Sequence, residues 1–226
     1  MNDTIAAIAT PFGSGGIGVI RISGPDAFSI ASKLFSKRKS RFETPENFES
    51  HKVYHGYVFD NKTMAVIDEV LLISMKGPSS YTAEDVVEIQ AHSGTFVLRA
   101  VLEEVLSCGA RLSEPGEFTK RAFLNQRIDL TQAEAVADII AAKSANALKF
   151  ATSQILGTLG GKIRELRERL IHFLSLIEVN IDFPDDVASF CPSDDEIRGL
   201  TDVLEKCREF IRQHNDACFL KEGIRV

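Results

Sequence analysis

Cys-x-x-Cys pairs, long apolar runs, a basic tail and low-complexity tracts are all missing from this chain. Each absence excludes a class of function. The four cysteines, Cys108, Cys191, Cys207 and Cys218, have neither zinc-site nor redox spacing. They read as free thiols of a reducing cytoplasm. No stretch approaches the ~18 apolar residues that cross a bilayer, and no signal-peptide pattern is legible. A cytoplasmic location and no membrane partner are therefore expected. The net charge is -6. A broad, non-specific nucleic-acid surface is not expected from that balance, although a local patch would escape it. No nucleophilic triad is legible.

What remains is a chain of 226 residues with 44% hydrophobic content, enough for one large domain or two modest ones with a real core. Strands and helices alternate in its first half. Residues 4–10 and 18–23 read as neighbouring strands around a Gly13-Ser14-Gly15-Gly16 turn. Gly24-Pro25 ends the second, and a helix from Asp26 to about Phe35 buries Ala27, Ile30, Ala31 and Leu34. Residues 53–59 and 64–75 read as an antiparallel hairpin around Asp60-Asn61-Lys62. Residues 86–92 alternate as a strand, with Val87, Ile89 and Ala91 on one face and Val86, Glu88, Gln90 and His92 on the other. Gly94 leads into a helix to about Ser107, stopped by Gly109.

From Thr131 the chain is nearly all helix: to about Leu156, then from Gly161 to Ile181, then from a Ser193/Glu196 capping box to about Leu220. Phe183-Pro184 ends or kinks the second of these, and Ile224-Arg225-Val226 looks like the opening of a strand. The expected class is an α+β N-terminal domain followed by an all-α helical-bundle domain. The two halves meet in residues 114–134. Pro115-Gly116 is a turn, and a short helix follows with Phe118, Ala122 and Leu124 as its expected apolar face and Asn125 as its stop. Thr131 with Glu134 reads as a capping box for the next helix. Asn125, Gln126, Arg127 and Asp129 are thus held on a short loop, which suits a binding site or an ordinary corner.

Two motifs are decoys. Gly13, Gly15 and Gly18 match Gly-x-Gly-x-x-Gly, but the third glycine enters a strand. The segment about 20 residues on is Lys37-Arg38-Lys39, where a dinucleotide site needs an acid. Residues 157–163 imitate a P-loop, but Leu156 and Ile163 stand where Gly and Ser or Thr are required, so an interhelix turn is expected. The basic cluster at residues 37–41 reads as a solvated linker. Asp182, Asp185 and Asp186 read as solvated acids rather than metal ligands.

Fewer residues carry chemistry. A carboxylate on a strand, Glu88, can take two N–H bonds from a guanidine-like heterocycle edge such as a pterin's, or can simply face solvent. Arg21 lies inside an apolar strand, where its charge needs a carboxylate or a bound anion. Arg127 lies in the junction loop, where a surface arginine is the ordinary reading, and His92 is a general base or a structural histidine.

Four blocks in order carry a resemblance. The first is Asp3-Thr4-Ile5-Ala6-Ala7-Ile8-Ala9-Thr10-Pro11 with Gly15-Gly16-Ile17-Gly18-Val19-Ile20-Arg21-Ile22-Ser23-Gly24. The second is Ser80-Tyr81-Thr82 with Glu84-Asp85-Val86-Val87-Glu88-Ile89 and His92. The third runs from Pro115-Gly116-Glu117-Phe118-Thr119-Lys120-Arg121 through Asp129-Leu130-Thr131-Gln132-Ala133-Glu134, and the fourth is Ile181-Asp182-Phe183-Pro184-Asp185. On these the chain resembles the MnmE (TrmE) family of tRNA-modification GTPases over essentially its whole length.

The resemblance implies a folate-binding and dimerisation domain at residues 1–117, similar to the glycine-cleavage T-protein fold. It implies the first part of a helical domain at residues 118–222 and the start of a GTPase domain at residues 223–226. That domain's Walker A motif and switches are not in this sequence, so the chain is expected to be a fragment that does not hydrolyse GTP. Folate contacts carry over to Arg21, Glu88 and Arg127, with no catalytic residue and no metal ligand in this part. The implied ligand is 5-formyltetrahydrofolate or 5,10-methylenetetrahydrofolate, while GTP, K+ and Mg2+ belong to the absent domain. The implied partners are a second copy, a flavin-containing MnmG (GidA) and tRNA. Together these form a 5-carboxymethylaminomethyl or aminomethyl group on the wobble uridine. Ala83, Ser93 and Gln126 stand where the family commonly has Gly, and Arg127 where it often has Lys. Two other readings stay open: a dimerisation and docking module without folate, and a stand-alone folate-dependent one-carbon transferase.

Overall fold

A computed structural model describes residues 3–11, 13, 15–39, 43, 47–182 and 193–222. The chain forms two compact units, Met1–Ile128 and Asp129–Val226.

The first unit contains β1 (Ile5–Ile8), β2 (Ile17–Ser23), α1 (Ala27–Leu34), β3 (Phe35–Ser36), β4 (Lys52–Phe59), β5 (Val66–Met75), β6 (Val86–His92), α2 (Thr95–Ser107), β7 (Arg111–Leu112) and α3 (Glu117–Leu124). Its strands form one sheet in the order β3-β4-β5-β6-β2-β1-β7. Every pairing is antiparallel except β1 with β7. The core lies on one face of this sheet. Ile20 and Ile22 of β2, Leu72 of β5 and Val87 and Ile89 of β6 pack there against Ile30 and Leu34 of α1 and Leu98 and Val101 of α2. The α1 positions expected to be buried are buried. Period-two alternation sends every second strand residue to the other face, which α1 and α2 leave uncovered.

Two details differ from the sequence expectation, β7 and the buried face of α3. β7 is two exposed residues with no alternation to read, and it forms because Arg111 N and Ser113 N donate to Thr4 O and Ala6 O, each at 3.0 Å. The buried face of α3 is Glu117, Arg121 and Ala122, while Leu124 is 49% exposed. Charged residues occupy that face because each has an ion-pair partner there, as described below. Gly116 opens α3 in the left-handed region, at φ 74°, where a side chain is penalised.

The second unit contains α4 (Leu130–Ala141), α5 (Ala145–Ile155), α6 (Thr158–Asp182) and α7 (Asp194–Glu222). The helix expected from Thr131 to Leu156 is two helices, parted where Ala142 turns extended and Ser144 accepts Ala147 N at 3.1 Å. α4 also starts earlier than expected. Asp129 caps it with Gln132 in a capping box, Asp being the stronger N-cap, and Thr131 instead donates its hydroxyl to Asp129 Oδ1 at 2.6 Å. The Ser193/Glu196 box is present: Ser193 N donates to Glu196 Oε2 at 2.6 Å. The P-loop imitation is a turn at Gly157, φ 77°, followed by the first turns of α6. Phe183-Pro184, Asp185, Asp186 and residues 223–226 lie outside the described residues.

Candidate functional site

β2 and β6 are neighbours, and their register sets Arg21 directly opposite Glu88. Both point away from the core, on the face opposite Ile20 and Ile89. Arg21 Nε donates to Glu88 Oε1 at 2.7 Å, with the two side chains 26% and 17% exposed. The carboxylate needed by Arg21 is therefore the other strand residue singled out from the sequence. Glu88 Oε2 and both terminal nitrogens of Arg21 have no hydrogen-bond partner among the described residues.

Tyr81, in the segment between β5 and β6, brings the third residue in. The Arg21 guanidinium carbon lies 5.3 Å from the Tyr81 ring centroid, and that of Arg127 lies 5.6 Å from the same ring. Arg21 also lies 5.6 Å from the Phe118 ring, on α3. Thr119, next on α3, shares a hydrogen bond of 2.9 Å with the Tyr81 hydroxyl. Arg21, Glu88 and Arg127 are thus gathered around one aromatic ring. Sequence reasoning missed Tyr81 and Phe118 as members of this group. The available signal was a tyrosine set in a polar, turn-rich segment, where no core requires it.

Behind the ring lies a cluster of charges. Arg121 is 1% exposed. Its Nη1 donates to Asp3 O at 2.8 Å and to both Glu84 oxygens at 3.2 Å, and its Nη2 to Asp3 Oδ1 at 2.9 Å and Glu117 Oε1 at 3.2 Å. Arg111 grips Glu117 with both Nη groups, at 2.9 and 2.5 Å, and Asp3 Oδ2 with Nε at 2.7 Å. Ser23 Oγ donates to Glu84 Oε2 at 2.7 Å, and Asn125 Nδ2 donates to Thr82 O at 2.7 Å. The N-terminal segment, the Tyr81 segment and α3 are therefore sewn together. The hydrogen bonds from Arg111 hold the Glu117 carboxyl down at about 2, and they lower Asp3 as well.

His92 lies further along the same sheet face, opposite Ile17. Its Nδ1 meets Asp68 Oδ1 at 2.8 Å and its backbone N–H donates to Asp68 Oδ2 at 2.8 Å. With Ile17, His55, Leu71 and Gln90 it lines an open groove of about 350 Å3. Of the departures from the family pattern, Ala83 and Gln126 both have φ 60°, and Ser93 Oγ accepts the Gly15 N–H at 2.8 Å. Among the described residues no group of three His, Cys, Asp or Glu side chains is placed to hold a metal, and no helix is long and apolar enough to cross a membrane.

Comparison with known proteins covers both units. Residues 4–127 match the family described as GTP-binding protein TrmE N-terminus, and residues 130–225 match the MnmE helical domain. The chain is similar to the tRNA modification GTPase MnmE of Carboxydothermus hydrogenoformans, 43% identical over 99% of this chain and 48% of the relative. It is 50% identical to that of Syntrophobacter fumaroxidans over 88% of this chain and 42% of the relative. It is 46% identical to that of Geobacter sulfurreducens over 100% of this chain and 48% of the relative. The chain thus spans about half the length of the curated relatives it matches. With both family matches falling in order on the mixed sheet unit and the helical unit, this chain belongs to the family of the tRNA modification GTPase MnmE, as its N-terminal and helical domains.

Proposed function

We propose that this chain binds a tetrahydrofolate derivative and pairs with a second copy of itself, as the folate-binding and helical part of a tRNA-modifying GTPase. The observation that carries the reading is the convergence of Arg21, Glu88 and Arg127 around Tyr81. The residues fit the ligand. Glu88 Oε2 is available to N–H donors of a pterin edge. Tyr81 and Phe118 offer apolar ring surface to the heterocycle. Arg127 is exposed and suits an anionic tail. The ligand is 5-formyltetrahydrofolate or 5,10-methylenetetrahydrofolate, and it supplies the one-carbon unit. The whole protein works with the flavin-containing MnmG (GidA) to build a 5-carboxymethylaminomethyl or aminomethyl group on the wobble uridine of tRNA. GTP hydrolysis, with K+ and Mg2+, belongs to a further domain.

Calorimetric titration with 5-formyltetrahydrofolate tests this. Glu88→Ala removes charge-assisted hydrogen bonds and is expected to weaken binding by about tenfold or more. No binding by the wild type, or unchanged binding by the variant, overturns the site assignment. The reading as a docking module without folate is favoured by one feature, the exposed Ile17, Val53 and Leu71 on the uncovered sheet face. A dimer with no folate-binding heat decides for it.

A further inference from the structure

Tyr81 lies in a segment, residues 76–85, that belongs to no helix or strand. The conformation of such a segment depends on the groups that tie it down. Three residues of α3 reach it. Thr119 shares a hydrogen bond of 2.9 Å with the Tyr81 hydroxyl, and Asn125 Nδ2 donates to Thr82 O at 2.7 Å. Between them, Arg121 Nη1 donates to both Glu84 oxygens at 3.2 Å. Glu84 passes this restraint to its own segment. Ser80 Oγ donates to Glu84 O at 2.6 Å, Ser23 Oγ donates to Glu84 Oε2 at 2.7 Å, and the Ser23 and Thr82 hydroxyls share a bond of 2.7 Å. The same stretch of α3 holds the loop of Arg127. Arg127 N donates to Ala122 O at 2.9 Å, and Asn125 N donates to Arg121 O at 2.9 Å. Arg121 cannot swing away, because Asp3 and Glu117 grip its other terminal nitrogen at 2.9 and 3.2 Å. At 1% exposure it is too deeply buried to meet a ligand, and both Glu84 oxygens are already taken. A buried ion pair is costly to break by removing one member, so this link is stiff.

We propose that Arg121 and Glu84 are positioning residues: their buried pair fixes the Tyr81 segment and the Arg127 loop relative to each other and touches no ligand itself. The effect on the Tyr81 ring needs no ligand, while the effect on affinity rests on the folate reading above. The pair acts as one unit, so loss of either member has the consequence of losing both.

The test uses the three tyrosines of the chain. Labelled with 3-fluorotyrosine, the chain gives a fluorine NMR resonance for each of Tyr54, Tyr57 and Tyr81, the last assigned by Tyr81→Phe. Tyr54 and Tyr57 lie on β4 and report the sheet. Arg121→Lys keeps the charge but offers one nitrogen where Arg121 uses two. Glu84→Gln keeps an acceptor and loses the charge. Each is expected to shift or broaden the Tyr81 resonance while the other two stay in place. Each is also expected to weaken 5-formyltetrahydrofolate by about fivefold in calorimetry. The double variant loses less than the product of the two single losses. Asn125→Ala, which removes only the link to Thr82, repeats both effects more weakly. It carries the test if Arg121→Lys unfolds, which would collapse all three resonances. An unchanged Tyr81 resonance in these variants overturns the proposal. So does equal movement of all three resonances in a folded chain, which marks general stability instead. A shifted Tyr81 resonance with unchanged affinity overturns the role in binding. If the wild type binds no 5-formyltetrahydrofolate, the folate reading falls, and the resonances still decide whether the pair sets Tyr81.

Discussion

Arg111 at 2.5 Å and Arg121 at 3.2 Å keep the Glu117 carboxylate ionised, with its pKa lowered from 4.5 to about 2 chiefly by the Arg111 hydrogen bonds. Because the folded value is the lower one, this carboxylate stabilises the protein fully above about pH 5. The contribution is lost as pH falls from there towards 2. Thermal or urea unfolding at pH 3 is therefore expected to show a clear loss of stability relative to pH 6. Glu117→Gln is expected to be less stable at pH 6 and to show a flatter dependence below pH 5. A second residue-scale prediction concerns Ala83 and Gln126, both at φ 60° where the family commonly has Gly. Replacing either by Gly relieves left-handed strain and should stabilise by roughly 0.5–1 kcal/mol in equilibrium unfolding. Arg21 and Glu88 were legible as candidates because a charge inside an alternating apolar strand demands an explanation, and the structure pairs them with each other. Tyr81 was not, since only its two guanidinium neighbours give it meaning.

α3 shows how an element can be placed correctly and its buried face read only in part. Pro115-Gly116 and Asn125 marked its ends and Ala122 is buried as expected, yet Leu124 is exposed and the charged Glu117 and Arg121 share the buried face. Burial of Glu117 and Arg121 depends on Arg111 and on Asp3 and Glu84, the last two of which lie far away in sequence. α4 depends instead on a local device that a sequence can show. The Asp129 side chain accepts Gln132 N at 3.0 Å, and Gln132 Oε1 accepts Asp129 N at 2.9 Å. Asp129→Ala should cost about 1 kcal/mol through loss of this cap, measured by equilibrium unfolding. Reading Thr131 as the cap missed the stronger Asp two residues earlier, which is a misjudged choice between two local signals. β7 was beyond reach, because a two-residue strand exists only through its pairing with β1.

At the scale of the whole molecule, the uncovered sheet face carries both the candidate site and the exposed Ile17, Val53 and Leu71. Light scattering is expected to give twice the mass of one chain, and Leu71→Lys to shift it towards the single-chain value. Periodicity in the sequence by itself determined the longer strands and helices of the first unit, the two faces of β6 and the change from a mixed unit to a helical one, but not β3, β7 or the break between α4 and α5. These follow from local side-chain patterns and turn residues, which act within a few positions of each other. Only the tertiary structure decided that Arg21 meets Glu88, that α3 buries its charges and that Tyr81 lies beside both Arg21 and Arg127. Each of these depends on strand register or on contacts between residues dozens of positions apart, and the free energy of a paired charge is set by the partner that folding brings to it.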